Sequence, residues 1–320
     1  LGYSFKFVWA PIVDKLPIPV LTKLMGRRRS WMLMSQIFIV LSILGMAFSN
    51  PTGSDHGMLI MAISAVLLGF SSATQDIVID AYRIECDSIE MQAILSSSYI
   101  VGYRVGMIIA GAGALFLAAY LGSTTKTYSY SAWMWTYIVM AATMLIGITT
   151  TLVAKEPEAH LEKETQYETS DYQRFFVFFL MIVAFFVGCF YYSADITKIV
   201  KASAVDAVGK GLGSFVVESL RLLGSIGLTA VFAKLLIKTP LIEFKMVDET
   251  YVLPIRDFFT RYGRTAAIII LSLVGLYRIS DIVLGVISNV FYQDLGYTKV
   301  QIGSIVKTFG LIMTLIGGVF

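Results

Sequence analysis

Asp76 and Asp80 stand one helical turn apart in SSATQDIVIDAYRIE (residues 71–85), directly after MLIMAISAVLLGF (residues 58–70), a run with no charged residue. On a helix in water two such carboxylates are ordinary. In hydrocarbon each ionisable side chain costs at least about 2.5–3.5 kcal/mol, so it faces a bundle interior or an aqueous cavity and finds an opposite charge. Four further stretches pose the same question: Lys6 in GYSFKFVWAP, Arg104 in VGYRVGM, Arg278 with Asp281 in LYRISDIVLG, and Lys307 in QIGSIVKTFGLIM. Lys6 and Arg104 could balance Asp76 and Asp80. Arg278 and Asp281, three residues apart, share a helix face. Lys307 lies about 12 Å from the outer end of its segment and Asp281 about 15 Å from the end of its own, so antiparallel neighbours would bring them together. An aspartate whose cationic partner moves can gain and lose a proton, which is the chemistry of coupling to a proton gradient. Any one of these charges could instead serve only to fix helix packing; the set as a whole reads as a polar pathway.

The elements that must position these charges follow from composition. Hydrophobic residues make up 57% of the 320, charged residues 15%, and mean hydropathy is +0.75. Soluble domains are roughly 45–50% apolar, and a soluble reading would need many helices apolar on every face. Eight segments read as membrane helices of about 20 residues each: 1–14, 31–49, 58–82, 92–120, 131–154, 174–195, 212–237 and 265–291, with a ninth at 299–320. The chain opens without methionine on LGYSFKFVWAP, the last part of a helix, and stops inside another at TLIGGVF. It is therefore expected to lack about one helix before Leu1 and four or more after Phe320, as in a bundle built from six-helix halves.

Lysines and arginines set the sidedness. The connections holding Lys15, Lys23, Arg27–Arg29, Arg83, Lys155, Lys163, Arg174, Lys238, Lys245, Arg256, Arg261 and Arg264 outweigh those holding Lys126, Lys198, Lys201, Lys210 and Lys299 by fourteen to five. The first set is expected to face the cytoplasm. KEPEAHLEKETQYETSDY (residues 155–172) reads as a solvated linker. PIRDFFTRYGR (254–264) places Ile255, Phe258, Phe259 and Tyr262 on one helical stripe, which suits either a short helix at the inner interface or an ordinary connection. Gly102 and Gly106 would allow a close helix approach. Cys86, Cys189, His56 and His160 form no metal or disulfide pattern, no cofactor is implied, and a net charge of +3 spread along the chain does not point to nucleic acid. The histidines fall in separate loops, which argues against a membrane enzyme.

These residues carry a family resemblance. PIVDKLP…GRRRSW resembles the loop signature of the major facilitator superfamily, an aspartate at a helix end followed by glycine and a basic run, here stretched between Asp14 and Gly26. With LGYSFKFVWAP, SATQDIVIDAY, VGYRVGM, PIRDFF, LYRISD and VKTFGL in that order, the chain resembles the AmpG family of muropeptide permeases. The resemblance implies an all-α polytopic bundle in a bacterial inner membrane. It implies proton-driven import of N-acetylglucosaminyl-anhydro-N-acetylmuramyl species by alternating access, with protons and the muropeptide as ligands and a monomer as the working form. Matched positions imply a substrate pathway of Lys6, Gln75, Asp76, Tyr103, Arg104, Arg278 and Lys307. Proton coupling would fall to Asp281 first and Asp76 second. A cytoplasmic gate would use Asp14, Arg27, Arg28, Arg29, Asp80 and Arg83. The chain departs from the shortest family members by two extra spans. The expected organisation is a helical half at 1–154, a linker at 155–173, the inserted pair at 174–240, a connection at 241–264 and the start of a second half at 265–320. Transport of another cargo, acetyl-CoA or an oligopeptide, is the alternative that the inserted pair leaves open.

Overall fold

The computed structural model describes residues 2–53, 55–123, 127–157, 167–239, 244–296 and 313. All regular structure among them is helical. Six helices are long and apolar enough to cross a membrane: Arg27–Ala47, His56–Glu85, Ile89–Tyr120, Tyr130–Val153, Ser170–Lys198 and Lys210–Ile237. Lys245–Tyr262 followed by Arg264–Tyr277 makes a seventh if that broken pair is one span. The chain is a multi-pass membrane protein. Its ninth apolar segment, with Lys307, lies outside the described residues, Met313 excepted.

The helices are α1 (Gly2–Lys15), α2 (Leu21–Met25), α3 (Arg27–Ala47), α4 (Asp55–Glu85), α5 (Gln92–Ile108), α6 (Ala114–Tyr120), α7 (Tyr130–Val153), α8 (Thr169–Val208), α9 (Lys210–Ile237), α10 (Phe244–Val247), α11 (Leu253–Tyr262) and α12 (Arg264–Asp294). They divide into two compact units, Thr165–Arg264 and the remainder.

In the first unit α3 packs between α4 and α7, and α1 lies on α4. The surfaces between these helices mix apolar side chains, among them Val13, Ile39, Met46 and Val78, with many small and hydroxylic ones. Ser30, Ser35, Gln36 and Ser42 of α3 are buried, as are Ser64, Ser71, Ala73 and Thr74 of α4. The hydroxyls of Ser30, Ser42 and Thr74 donate to carbonyls four residues back, at 2.5, 2.6 and 2.9 Å, which satisfies them within their own helices. A Cβ on Gly45 would stand 2.5 Å from Ser64 Oγ, so α3 and α4 approach closely there and a larger residue would displace that hydroxyl. Large apolar side chains point outward instead; Val66 is 74% and Ile146 72% exposed. In lipid this arrangement is favourable, because hydrocarbon rewards close helix contact and does not penalise an apolar exterior.

Helix ends depart from the hydropathy pattern where other forces set them. α3 starts at Arg27, four residues before its apolar run, because Gly26 (φ 84°) turns the chain immediately ahead of it. The 92–120 segment is interrupted by a π-type turn at Ile109–Gly113, within the sequence IAGAG. α8 runs thirteen residues beyond the expected 195, to Val208, since no glycine or proline stops it before Gly209 (φ 86°).

The second unit is built on an α8–α9 hairpin. Phe185 and Phe232 stack with centroids 4.1 Å apart, and a Cβ on Gly213 would meet the Ala204 carbonyl oxygen at 2.6 Å. Glu168 and Asp171 cap the start of α8 reciprocally. The α10–α11 segment packs near this end, with Phe175 and Tyr251 rings 6.3 Å apart and the Tyr167 hydroxyl donating to Glu249 at 2.9 Å. Of residues 254–264, for which the sequence leaves a short helix and an ordinary connection both open, α11 covers those up to Tyr262.

Candidate functional site

α4 delivers Asp76 and Asp80 to one face, and α1 delivers Lys6 to meet both. Lys6 Nζ donates to Asp76 Oδ2 at 2.5 Å and stands 3.6 Å from Asp80 Oδ2. Asp80 Oδ1 lies 3.6 Å from Arg83 Nη2, one turn on. The second oxygen of Asp76 accepts a 2.7 Å hydrogen bond from the Tyr99 hydroxyl on α5. Two aromatic–hydroxyl contacts seat α1 on α4 beside this cluster: Tyr3 with Ser72 at 2.6 Å and Trp9 Nε1 donating to Thr74 at 3.2 Å. Trp9 also lies 4.6 Å from the Phe70 ring. Lys6 therefore has a fixed approach to the carboxylates while its side chain remains 34% exposed.

Arg104 does not join Asp76 or Asp80. It is half-buried, and its Nε has no hydrogen-bond partner among the described residues. The expected charge balance is met by Lys6 and Arg83 instead, because α5 turns Tyr99 toward Asp76 and Arg104, five residues on, falls on another face of that helix. Gln75 is half-buried and Tyr103 is 57% exposed. Arg278 and Asp281 are on α12, three residues apart; their side chains and Lys307 lie outside the described residues, so the Asp281–Lys307 pairing does too. Gly102 and Gly106 have no atom within 4 Å of an added Cβ among the described residues, and no described helix uses them for close approach.

A second charge cluster gathers at the start of α3. Arg28 is only 4% exposed. Its Nη1 donates to Asp14 at 2.5 Å, its Nε to Glu85 Oε2 at 2.8 Å and its Nη2 to Glu85 Oε1 at 2.6 Å. Glu156 caps the helix from beyond α7, accepting from the backbone N–H groups of Arg28 (2.7 Å) and Arg29 (3.1 Å). The Arg29 side chain donates to the Thr151 and Leu152 carbonyls at 3.0 and 2.6 Å, at the end of α7. Three arginines at a helix N-terminus oppose the positive end of its dipole, and these carboxylates and carbonyls offset that. Gly26 is obligatory here: besides its positive φ, a Cβ would stand 2.3 Å from Glu156 Cδ. Tyr82 donates to the Lys155 carbonyl at 2.6 Å, and in the adjoining loop burial pushes the Cys86 thiol above its ordinary value.

The gate residues assigned from sequence thus separate. Asp14 and Arg27–Arg29 occupy the α3 cluster, whereas Asp80 and Arg83 sit with Lys6 and Asp76. Sequence reasoning missed Tyr99, Glu156 and the part Glu85 plays. Tyr99 was findable, since Ser96, Tyr99 and Tyr103 fall on one stripe of α5 at helical spacing. Glu156 was not, because it opens a segment whose composition is that of a solvated linker.

The profile of the Major Facilitator Superfamily matches residues 3–320. The chain is 26% identical over 320 residues, all of it, to 45% of the anhydromuropeptide permease of Escherichia coli strain K12. A Rickettsia felis protein that carries the name AmpG 4 is 29% identical over 318 residues, 99% of this chain and 55% of that one. The chain thus spans about half the length of the curated relatives it matches, which are transporters and permeases by name rather than enzymes. With its outward-facing apolar helices, its small-residue packing and a match along nearly its whole length, the chain belongs to the major facilitator superfamily.

Proposed function

We propose that this chain is part of a secondary active transporter that imports anhydro-muropeptides across a bacterial inner membrane by proton symport and alternating access. The observation that carries the reading is the Lys6–Asp76–Asp80 cluster, held between α1 and the membrane helix α4 of a chain similar along its whole length to an anhydromuropeptide permease. Lys6, Gln75, Asp76, Tyr103, Arg104, Arg278 and Lys307 form the substrate pathway, where cations address ligand carboxylates and Gln75 offers a donor and an acceptor to sugar hydroxyls or acetamido groups. Asp281 and Asp76 carry protons. Asp14 and Arg27–Arg29 latch the cytoplasmic side, and Asp80 with Arg83 closes the space between latch and pathway. Residues 1–154 act as a helical half, with the α8–α9 pair inserted before the second half starts at 265. The Arg28 cluster supports a latch because it ties the end of α1, the end of α4 and the start of α3 through one guanidinium.

Uptake of labelled N-acetylglucosaminyl-anhydro-N-acetylmuramic acid into vesicles carrying the full-length protein tests this. It is expected to collapse with a protonophore and in Asp281→Asn. Uptake indifferent to both would remove proton coupling. Competition by acetyl-CoA or by dipeptides, with none by the anhydro-sugar, would change the cargo.

A further inference from the structure

α5 meets α4 along one stripe, Gln92, Ser96 and Tyr99, whose spacing of four and three residues keeps them on a single face. Gln92 Nε2 donates to the carbonyls of Arg83, Ile84 and Asp87 at 3.4, 3.3 and 3.2 Å. Ser96 Oγ accepts from Arg83 Nη1 at 3.0 Å. Tyr99 donates to Asp76 Oδ1 at 2.7 Å, and the Arg83 guanidinium lies 5.3 Å from the centroid of its ring. The first two rungs end on carbonyls and an arginine, groups whose charge does not change. The third ends on a carboxylate. Ionised, Asp76 offers one oxygen to Lys6 and the other to Tyr99, and hydrogen bonds to a charged acceptor are about twice as strong as neutral ones. A proton on Asp76 removes the charge that both donors address.

We propose that Tyr99 is the positioning residue that transmits protonation of Asp76 to α5. With Asp76 ionised, the hydroxyl pins α5 to α4 and, through Asp76 and Lys6, to α1. Protonation weakens the pin and frees this level of α5, while Gln92 and Ser96 hold its first turns. The proposal rests on the reading of Asp76 as a proton carrier. The other titratable groups facing this point are Lys6 and Tyr3 from α1, and Asp80 with Arg83 from α4 itself. Ten residues further along, the π-type turn at Ile109–Gly113 breaks the regular hydrogen bonding of the same span, as such turns do at functional sites.

The test uses full-length protein in proteoliposomes, with the N-acetylglucosaminyl-anhydro-N-acetylmuramic acid disaccharide as probe and equal amounts of each variant. Tyr99→Phe keeps the ring against Arg83 and removes only the hydroxyl. Uptake driven by an imposed pH gradient is expected to fall about tenfold, the loss of one hydrogen bond to a charged group. Exchange of the same probe at equal pH on both sides is expected to stay near wild type. Equal losses in the two modes would make Tyr99 merely structural and overturn the proposal. A thermal-unfolding cycle of Tyr99→Phe, Asp76→Asn and the double variant needs no transport. Non-additive shifts support the pin and additive ones overturn it, and neither depends on the cargo, so a failure of the pin is told apart from a failure of the disaccharide reading.

Discussion

Arg28 and Lys6 are both single cations flanked by two carboxylates, and they are held in opposite ways. Arg28 is 4% exposed and directs three nitrogens at Asp14 and Glu85, all within 2.8 Å. Lys6 is 34% exposed, makes one close bond to Asp76, and leaves Asp80 at 3.6 Å, no nearer to it than Arg83 is. Beside Arg28, Glu156 also takes up the backbone N–H groups of Arg28 and Arg29. Around Lys6 the contacts are looser, with Asp80 3.6 Å from both Lys6 and Arg83. A saturated cluster resists change, whereas an unsaturated one leaves charge for a ligand or a proton to engage. The Arg221 cluster of α9 is of the saturated kind. Its guanidinium donates to Glu218, Ser193 and the Phe190 carbonyl at 2.9, 3.1 and 2.6 Å and covers the Phe190 ring at 4.0 Å.

That contrast is breakable at named residues. Arg28→Ala strips a buried cation from two carboxylates and should cost about 3–5 kcal/mol, seen as a large loss of thermal stability in detergent and of uptake together. A variant of normal stability would erase the distinction. Gly26→Ala meets Glu156 at 2.3 Å and a φ of 84°; strain of this kind costs about 1–3 kcal/mol, again measured by unfolding. Lys6→Gln should leave stability within about 1 kcal/mol, the scale of exposed pairs, while disaccharide uptake is lost. A large destabilisation would place Lys6 with the latch. The smallest effect concerns Cys86, exposed after the end of α4: because its thiol is pushed up from its ordinary value, maleimide should label it more slowly at pH 7 than a free cysteine, with the rate rising as pH is raised.

The helices were legible because lipid leaves so few options: an apolar run of sufficient length without a stop must be a helix. Their ends were less so. Arg27 was outside the apolar run, and only Gly26 with the distant Glu156 makes it the first residue of α3. α8 continues past Tyr192 because nothing breaks it, although hydropathy has already fallen. Within the site, Lys6 and Asp76 could be paired from depth alone, since each lies about 10–12 Å from the same side of its helix. The rotation of α5 could not be read from depth, which is why Arg104 was expected near the aspartates where the structure places Tyr99. The function of Glu156 depends on a contact 128 residues apart in sequence and on a glycine small enough to admit it.

The two clusters do different work, and Asp76→Asn set beside Arg28→Ala measures that directly. Initial rates of gradient-driven disaccharide uptake, divided by the amount of folded protein, are to be compared with wild type. Asp76→Asn is expected to stay as abundant as wild type, giving up only the stability of its bonds to Lys6 and Tyr99, yet to lose gradient-driven uptake, while Arg28→Ala loses folded protein. Asp76→Asn transporting at the wild-type rate under a pH gradient would contradict this.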